Sequence, residues 1–78
     1  MDEKFQSILS VALIPQIVAL IAVREKMGED EAMEAFYRSE TYELLSREET
    51  KLWHYSPLTL CRIWEQERQT GALVFPEE

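Results

Sequence analysis

Cysteine and histidine each occur once in these 78 residues and glycine twice, while lysine and arginine number 8 against 15 aspartates and glutamates. Each shortage excludes something. The lone Cys61 cannot form an intrachain disulfide, so the chain does not belong to the small secreted class stapled by bridges. One cysteine and one histidine cannot close a Cys/His zinc site within a single chain, so no metal and no cofactor is expected. Two isolated glycines, Gly28 and Gly71, leave no glycine-rich loop to cradle a phosphate. The formal net charge of −7 gives no positive footprint for a nucleic-acid backbone, so direct nucleic-acid binding is not expected. Internal repeats, low-complexity stretches and interdomain linkers are missing too, and residues 1–78 read as one domain.

Apolar residues make up 46% of the chain, enough to favour folding over disorder. A chain this short buries only roughly 60–65% of its unfolded surface, so it needs a dense core or a partner chain. The charge is uneven. Residues 1–27 balance to zero, and residues 51–78 carry four acids against three bases. Residues 28–50 carry eight acids against Arg38 and Arg47, net −6. The simple reading of that middle is a solvated face that aids solubility. The sharper reading, a docking surface for a basic partner, is the less favoured of the two.

Residues 1–27 read as a helix that is apolar almost all round from Ile8 to Val23, interrupted only by Ser10, Pro15 and Gln16. Such a helix is buried on all sides or sits in lipid. The run has sixteen residues, short of the ~20 that cross a bilayer, and Met1-Asp2-Glu3-Lys4 is not the basic start of a signal peptide. No membrane segment is expected. Pro15 removes an N–H and crowds the preceding turn, so the helix should kink there or restart with Pro15 in its first turn. Gly28 suits a left-handed C-cap.

A second helix, 30–38, places Ala32, Met33, Phe36 and Tyr37 inward and pairs Glu34 with Arg38 outside. Ser39 is an N-cap for a turn bearing Tyr42, Leu44 and Leu45. Ser46 with Glu49 fits a capping box for a helix to about His54, with Leu52 and Trp53 inward; residues 39–54 form two short helices or one bent one. Ser56-Pro57 is the clearest helix start in the chain. The helix that follows, roughly Pro57 to Gln69, buries Leu58, Leu60, Cys61, Ile63 and Trp64, turns Glu67 outward and ends at Gly71. Residues 72–78 form an extended tail that returns toward the core; a strand there needs a second chain.

Chemistry is sparse. His54 is the one candidate general base, with Glu48, Glu49 and Cys61 near in sequence, but no triad spacing is legible. A histidine closing a helix and bonding its last carbonyls is the simpler role. Cys61, on an inward stripe, reads as a small apolar residue. Tyr37, Tyr42, Glu49, Trp53, His54 and Tyr55 are the candidate interaction or pocket residues, since tyrosine and tryptophan at a core's rim also mark interfaces. Leu13, Ile17, Leu20 and Ile21 are the candidates for pairing two first helices.

At Phe36-Tyr37-Arg38-Ser39, Tyr42-Glu43-Leu44-Leu45, Glu48 through Pro57 and Phe75-Pro76-Glu77-Glu78, the chain resembles a group of short bacterial helical proteins, a domain of unknown function. They carry an FY-x-S-x-x-Y-x-L-L-x-x-E-E-T-K-L-W-H-x-S-P pattern. Ile14-Pro15-Gln16-Ile17-Val18 is similar to their early helix. The resemblance implies a cytoplasmic bacterial protein and no particular activity. More loosely, the layout resembles short helical domains found beside bacterial toxins, which implies an accessory or antitoxin-like role. The expectation is therefore an all-α bundle of four or five short helices with a proline-kinked apolar first helix. It would act as a non-enzymatic, homodimeric protein-interaction module with an unknown protein partner. The alternative is a small-molecule-binding or catalytic domain using His54 and the aromatics around it.

Overall fold

The computed structural model describes residues 3–75, which form an all-α bundle of four helices. Helix α1 runs from Glu3 to Glu25, α2 from Glu29 to Tyr37 and α3 from Glu40 to Leu45. Two 3₁₀ turns, Glu48–Thr50 and Leu52–His54, lead into α4, Pro57–Thr70. The Cα radius of gyration is 11.8 Å, against about 11.5 Å for a compact chain of this length.

Helix α1 is the centre and packs most heavily on α2 and α4. It passes Pro15 without dividing in two. The chain widens into a π-helical segment, Ile8–Leu13, just before the proline, and the Ile14 N–H donates to the Leu9 carbonyl five residues back. A π turn ahead of a proline is one way to relieve the clash of the ring with the preceding turn. Two polar side chains add donors to carbonyls of this stretch. Ser10 Oγ donates to the Gln6 carbonyl at 2.9 Å and Gln16 Nε2 to the Ala12 carbonyl at 2.8 Å.

One half of α1 is core: Phe5, Leu9, Leu13, Ile14, Ile17, Val18, Ile21 and Ala22 are buried. Ala32 and Phe36 of α2, Leu45 of α3, Leu52, and Leu60, Cys61, Ile63 and Trp64 of α4 close over them. Each large side chain buried this way contributes about 1.5–3 kcal/mol. The other half of α1 is left uncovered within the chain, because the short helices do not reach around it.

The helix starts follow local chemistry. Ser56 Oγ accepts from the Thr59 N–H at 3.2 Å with Pro57 in the first turn of α4. Ser39 Oγ accepts from the Tyr42 N–H at 3.1 Å. The other free donors of α3 go to a residue expected to face outward. The Glu40 and Thr41 N–H groups donate to the Glu67 carboxylate at 2.9 and 3.0 Å, and Thr41 Oγ1 donates to it at 2.7 Å. Glu67 thus fixes α3 on α4 and satisfies the buried hydroxyl of Thr41. Arg24 holds α1 to α4 through a bidentate pair with Glu65 at 2.6 and 3.0 Å, and that pair raises the already high pKa of the guanidinium.

Several local expectations are corrected. Lys26, not Gly28, is the left-handed cap of α1, with φ 55°, while Gly28 is the extended N-cap of α2. Met33 and Tyr37 are 42% and 44% exposed, leaving Ala32 and Phe36 as the inward pair of α2. Ser46 closes α3 instead of opening a helix, and its hydroxyl donates to the Glu43 carbonyl at 2.7 Å. Residues 48–54 are two 3₁₀ turns split by left-handed Lys51, φ 60°. Leu58 is exposed. Gly71 ends α4 in the left-handed region, φ 77°, as expected. The described tail, 72–75, is not a strand; Leu73 packs on the core, and Val74 and Phe75 are exposed. The expectation for residues 76–78 lies outside the described residues.

Three substitutions have expected outcomes in urea unfolding. Ser56→Ala costs about 1 kcal/mol, and Glu67→Ala costs more, about 2 kcal/mol, because charge-assisted bonds to helix donors are lost. Lys26→Gly stabilises by about 0.5 kcal/mol, because a non-glycine residue is disfavoured in the left-handed region; an unchanged or lowered midpoint contradicts the strain assigned to Lys26.

Candidate functional site

The candidate aromatic residues fall into two separate groups. Tyr37 and Tyr42 meet edge to face with centroids 4.7 Å apart, and Tyr42 packs on buried Phe36 at 5.7 Å. The second group runs from Phe5 through Trp53 and His54 to Tyr55, with centroid separations of 6.5, 6.4 and 4.4 Å. The 3₁₀ turns place this second set. Thr50 Oγ1 donates to the Leu44 carbonyl at 2.7 Å, and Trp53 Nε1 donates to the Glu48 carbonyl at 3.1 Å.

His54 lies on a groove of about 340 Å³ lined by Leu44, Thr50, Leu52, Tyr55 and Phe75. Its ring stacks on Tyr55, and Nδ1 contacts the Lys51 carbonyl. Glu49 is exposed and does not line the groove. Among the described residues the groove brings together the His54 imidazole, the Tyr55 phenol and the Thr50 hydroxyl.

Cys61 is fully buried in α4. Burial first, then the nearby charge of Glu65, pushes its thiol up to about 11 from 9.0, with Arg24 pulling slightly the other way. A protonated, enclosed thiol is not a nucleophile. Among the described residues no group of three or more His, Cys, Asp or Glu side chains is placed to hold a metal ion.

A groove of about 490 Å³ runs between the end of α1 and α4 and is lined by Arg24, Thr59, Arg62, Ile63, Glu65, Gln66, Gln69 and Val74. Two of its charged side chains, Arg24 and Glu65, are already joined in a bidentate pair. No local pattern marks that contact, because its partners are 41 positions apart.

The feature that sequence reasoning placed on the wrong residues is the outward half of α1. Leu13, Ile17 and Ile21 are buried within the chain, at 8%, 0% and 0% exposure, and so are unavailable to a second copy; Leu20 is half-buried. The exposed stripe is instead Ile8, Val11, Ala12, Pro15, Ala19 and Val23, with Val11 and Val23 at 75% and 76% exposure. The π segment changes the register of the helix, which a count at 3.6 residues per turn does not anticipate.

Comparison with protein-family models, with curated proteins and with solved structures finds no match to this chain.

The position of Cys61 generates a pH dependence. The folded thiol titrates above the unfolded one, so its contribution to stability is complete below pH 9 and is lost as pH rises toward 11. Within that window it falls by up to about 1.4 kcal/mol per pH unit. The urea midpoint should drop over this range, and less so in Cys61→Ala. A disulfide exchange reagent at neutral pH should modify Cys61 only after unfolding; rapid modification of the native chain contradicts the burial.

Proposed function

We propose that this chain is a non-enzymatic interaction module that works as a homodimer, joined through the outward stripe of α1. The observation that carries the reading is the run from Ile8 to Val23. At 1.5 Å per residue and one helix wide, it spans about 22 Å by 10 Å. That is an apolar face of several hundred Å², at the upper end of what a monomer leaves bare. Covered on both copies about a two-fold axis, it removes on the order of 1,000 Å² from water, the lower bound of a specific interface. The two polar side chains near it, Ser10 and Gln16, are turned onto carbonyls of their own helix and add little hydration to the face. The buried, protonated thiol of Cys61 takes the chain's one cysteine out of nucleophilic chemistry and supports the non-enzymatic reading. The motif resemblance supports a cytoplasmic bacterial accessory or antitoxin-like role.

A second reading, that this face lies against lipid, is favoured by one observation. Helix α1 has 23 residues and is long and apolar enough to cross a membrane by length and composition. Crossing would strip Phe5, Leu9, Ile17 and Ile21 from the core and draw the Arg24–Glu65 pair toward hydrocarbon, a cost that covering the outer face alone does not incur.

At micromolar concentration, sedimentation should give about 18 kDa, twice the chain mass of 9.2 kDa, with a melting temperature that rises with concentration. Val11→Glu combined with Val23→Glu should give a folded monomer, because both side chains are already exposed. A monomeric wild type with a concentration-independent melt overturns the dimer. If that monomer also floats with phosphatidylcholine vesicles, the lipid reading replaces it.

A further inference from the structure

The outer face of α2 carries a different surface. Met33 and Tyr37, one turn apart, are 42% and 44% exposed. With Asp30, Glu34 and Arg38 they line an open groove of about 400 Å³ whose walls are mostly apolar. Tyr37 is propped in place by the edge of Tyr42. Glu29 and Glu31 share the first turn with Asp30. Asp30 has no ion pair among the described residues. Glu34 holds Arg38 at 2.9 Å, but both side chains are largely exposed, at 65% and 77%, where such a pair is worth little. The acids at the start of α2 stabilise its own dipole; that role does not account for two large apolar side chains left bare among them.

We infer that this face docks a basic segment of another protein, one that alternates lysine or arginine with aliphatic residues. The argument is charge complementarity around an apolar centre. The aliphatic residues and the stems of the basic side chains lie over Met33 and the Tyr37 ring, and the cationic heads reach Asp30 and Glu34. A cation over the Tyr37 face adds a further attraction. A second copy of this chain is a poor occupant, because it presents the same acids and carries a net charge of −7. A phosphate-bearing ligand is repelled for the same reason. The inference is independent of the α1 interface, since the docking face uses none of its residues.

The test uses the full chain and a fluorescein-labelled amphipathic helical peptide of leucine and lysine, followed by fluorescence anisotropy at low and high salt. A scrambled peptide of the same composition is the control. The wild type should bind the amphipathic peptide more tightly than the scrambled one, and salt should weaken the complex. Asp30→Asn with Glu34→Gln should weaken binding by about tenfold or more. Glu48→Gln with Glu49→Gln removes the same charge from the exposed 3₁₀ turn and should have little effect. Met33→Ser with Tyr37→Ser leaves the charge unchanged and should also weaken binding by about tenfold. Circular dichroism establishes that each variant is folded. If the serine pair does not fold, Met33→Gln alone replaces it, with the same weakening expected in direction. Absence of wild-type binding, equal binding of the scrambled peptide, equal loss in both charge-removing pairs, or undiminished binding in the folded Met33 variant overturns the inference.

Discussion

One constraint governs this molecule: a helix apolar on nearly every side must be hidden by three helices too small to surround it. The residues of α1 that meet α2 and α4 form the core, with Ile17 and Ile21 fully buried and Trp64 and Phe36 closing over them. Their burial fixes the order and packing of everything else. What the short helices cannot reach remains as the stripe from Ile8 to Val23. Pro15 sits on that stripe instead of in the core, so its ring does not disturb the packed half.

The polar contacts serve this arrangement by holding small elements that have little helical stability of their own. A six-residue helix such as α3 is not stable alone in water. It persists because Ser39 and Glu67 satisfy its first donors and because Thr41 and Leu45 are buried. Glu65 and Glu67, two residues apart on α4, bind α1 through Arg24 and α3 through its N-terminus. The helix α4 is thereby the clamp of the bundle, and its own start depends on Ser56-Pro57. No buried side-chain nitrogen or oxygen among the described residues lacks a partner, so the polar framework is closed.

The parts of this fold that were legible in the sequence are those with local causes. Ser39, Ser56-Pro57 and Gly71 each act within one turn of chain, and each marks the boundary expected of it. The Glu34–Arg38 pair is likewise local. Ser46-x-x-Glu49 carries the letters of a capping box, yet the chain makes 3₁₀ turns there. Thr50, reaching back to the Leu44 and Arg47 carbonyls, ties that stretch into a tight bend. Lys26 in the left-handed region, Glu67 beneath α3 and the Arg24–Glu65 pair depend on tertiary placement and leave no periodic trace. Of the candidate site residues, Tyr37 meets Tyr42 and Trp53 meets His54 and Tyr55, while Glu49 joins neither group. The choice of Leu13, Ile17 and Ile21 as an outer face failed because an all-apolar stretch does not say which half points inward.

The account stands on the outer half of α1 being covered by a second copy. The most direct measurement is a mixed sample of isotopically labelled and unlabelled chains, in which only contacts between copies give filtered nuclear Overhauser effects. The account requires such effects between the methyl groups of Ile8, Val11, Ala12, Ala19 and Val23 of one chain and the same stripe of its partner. If those methyl groups show only contacts within their own chain and full exposure to a soluble paramagnetic probe, the stripe is bare in solution and the account is contradicted.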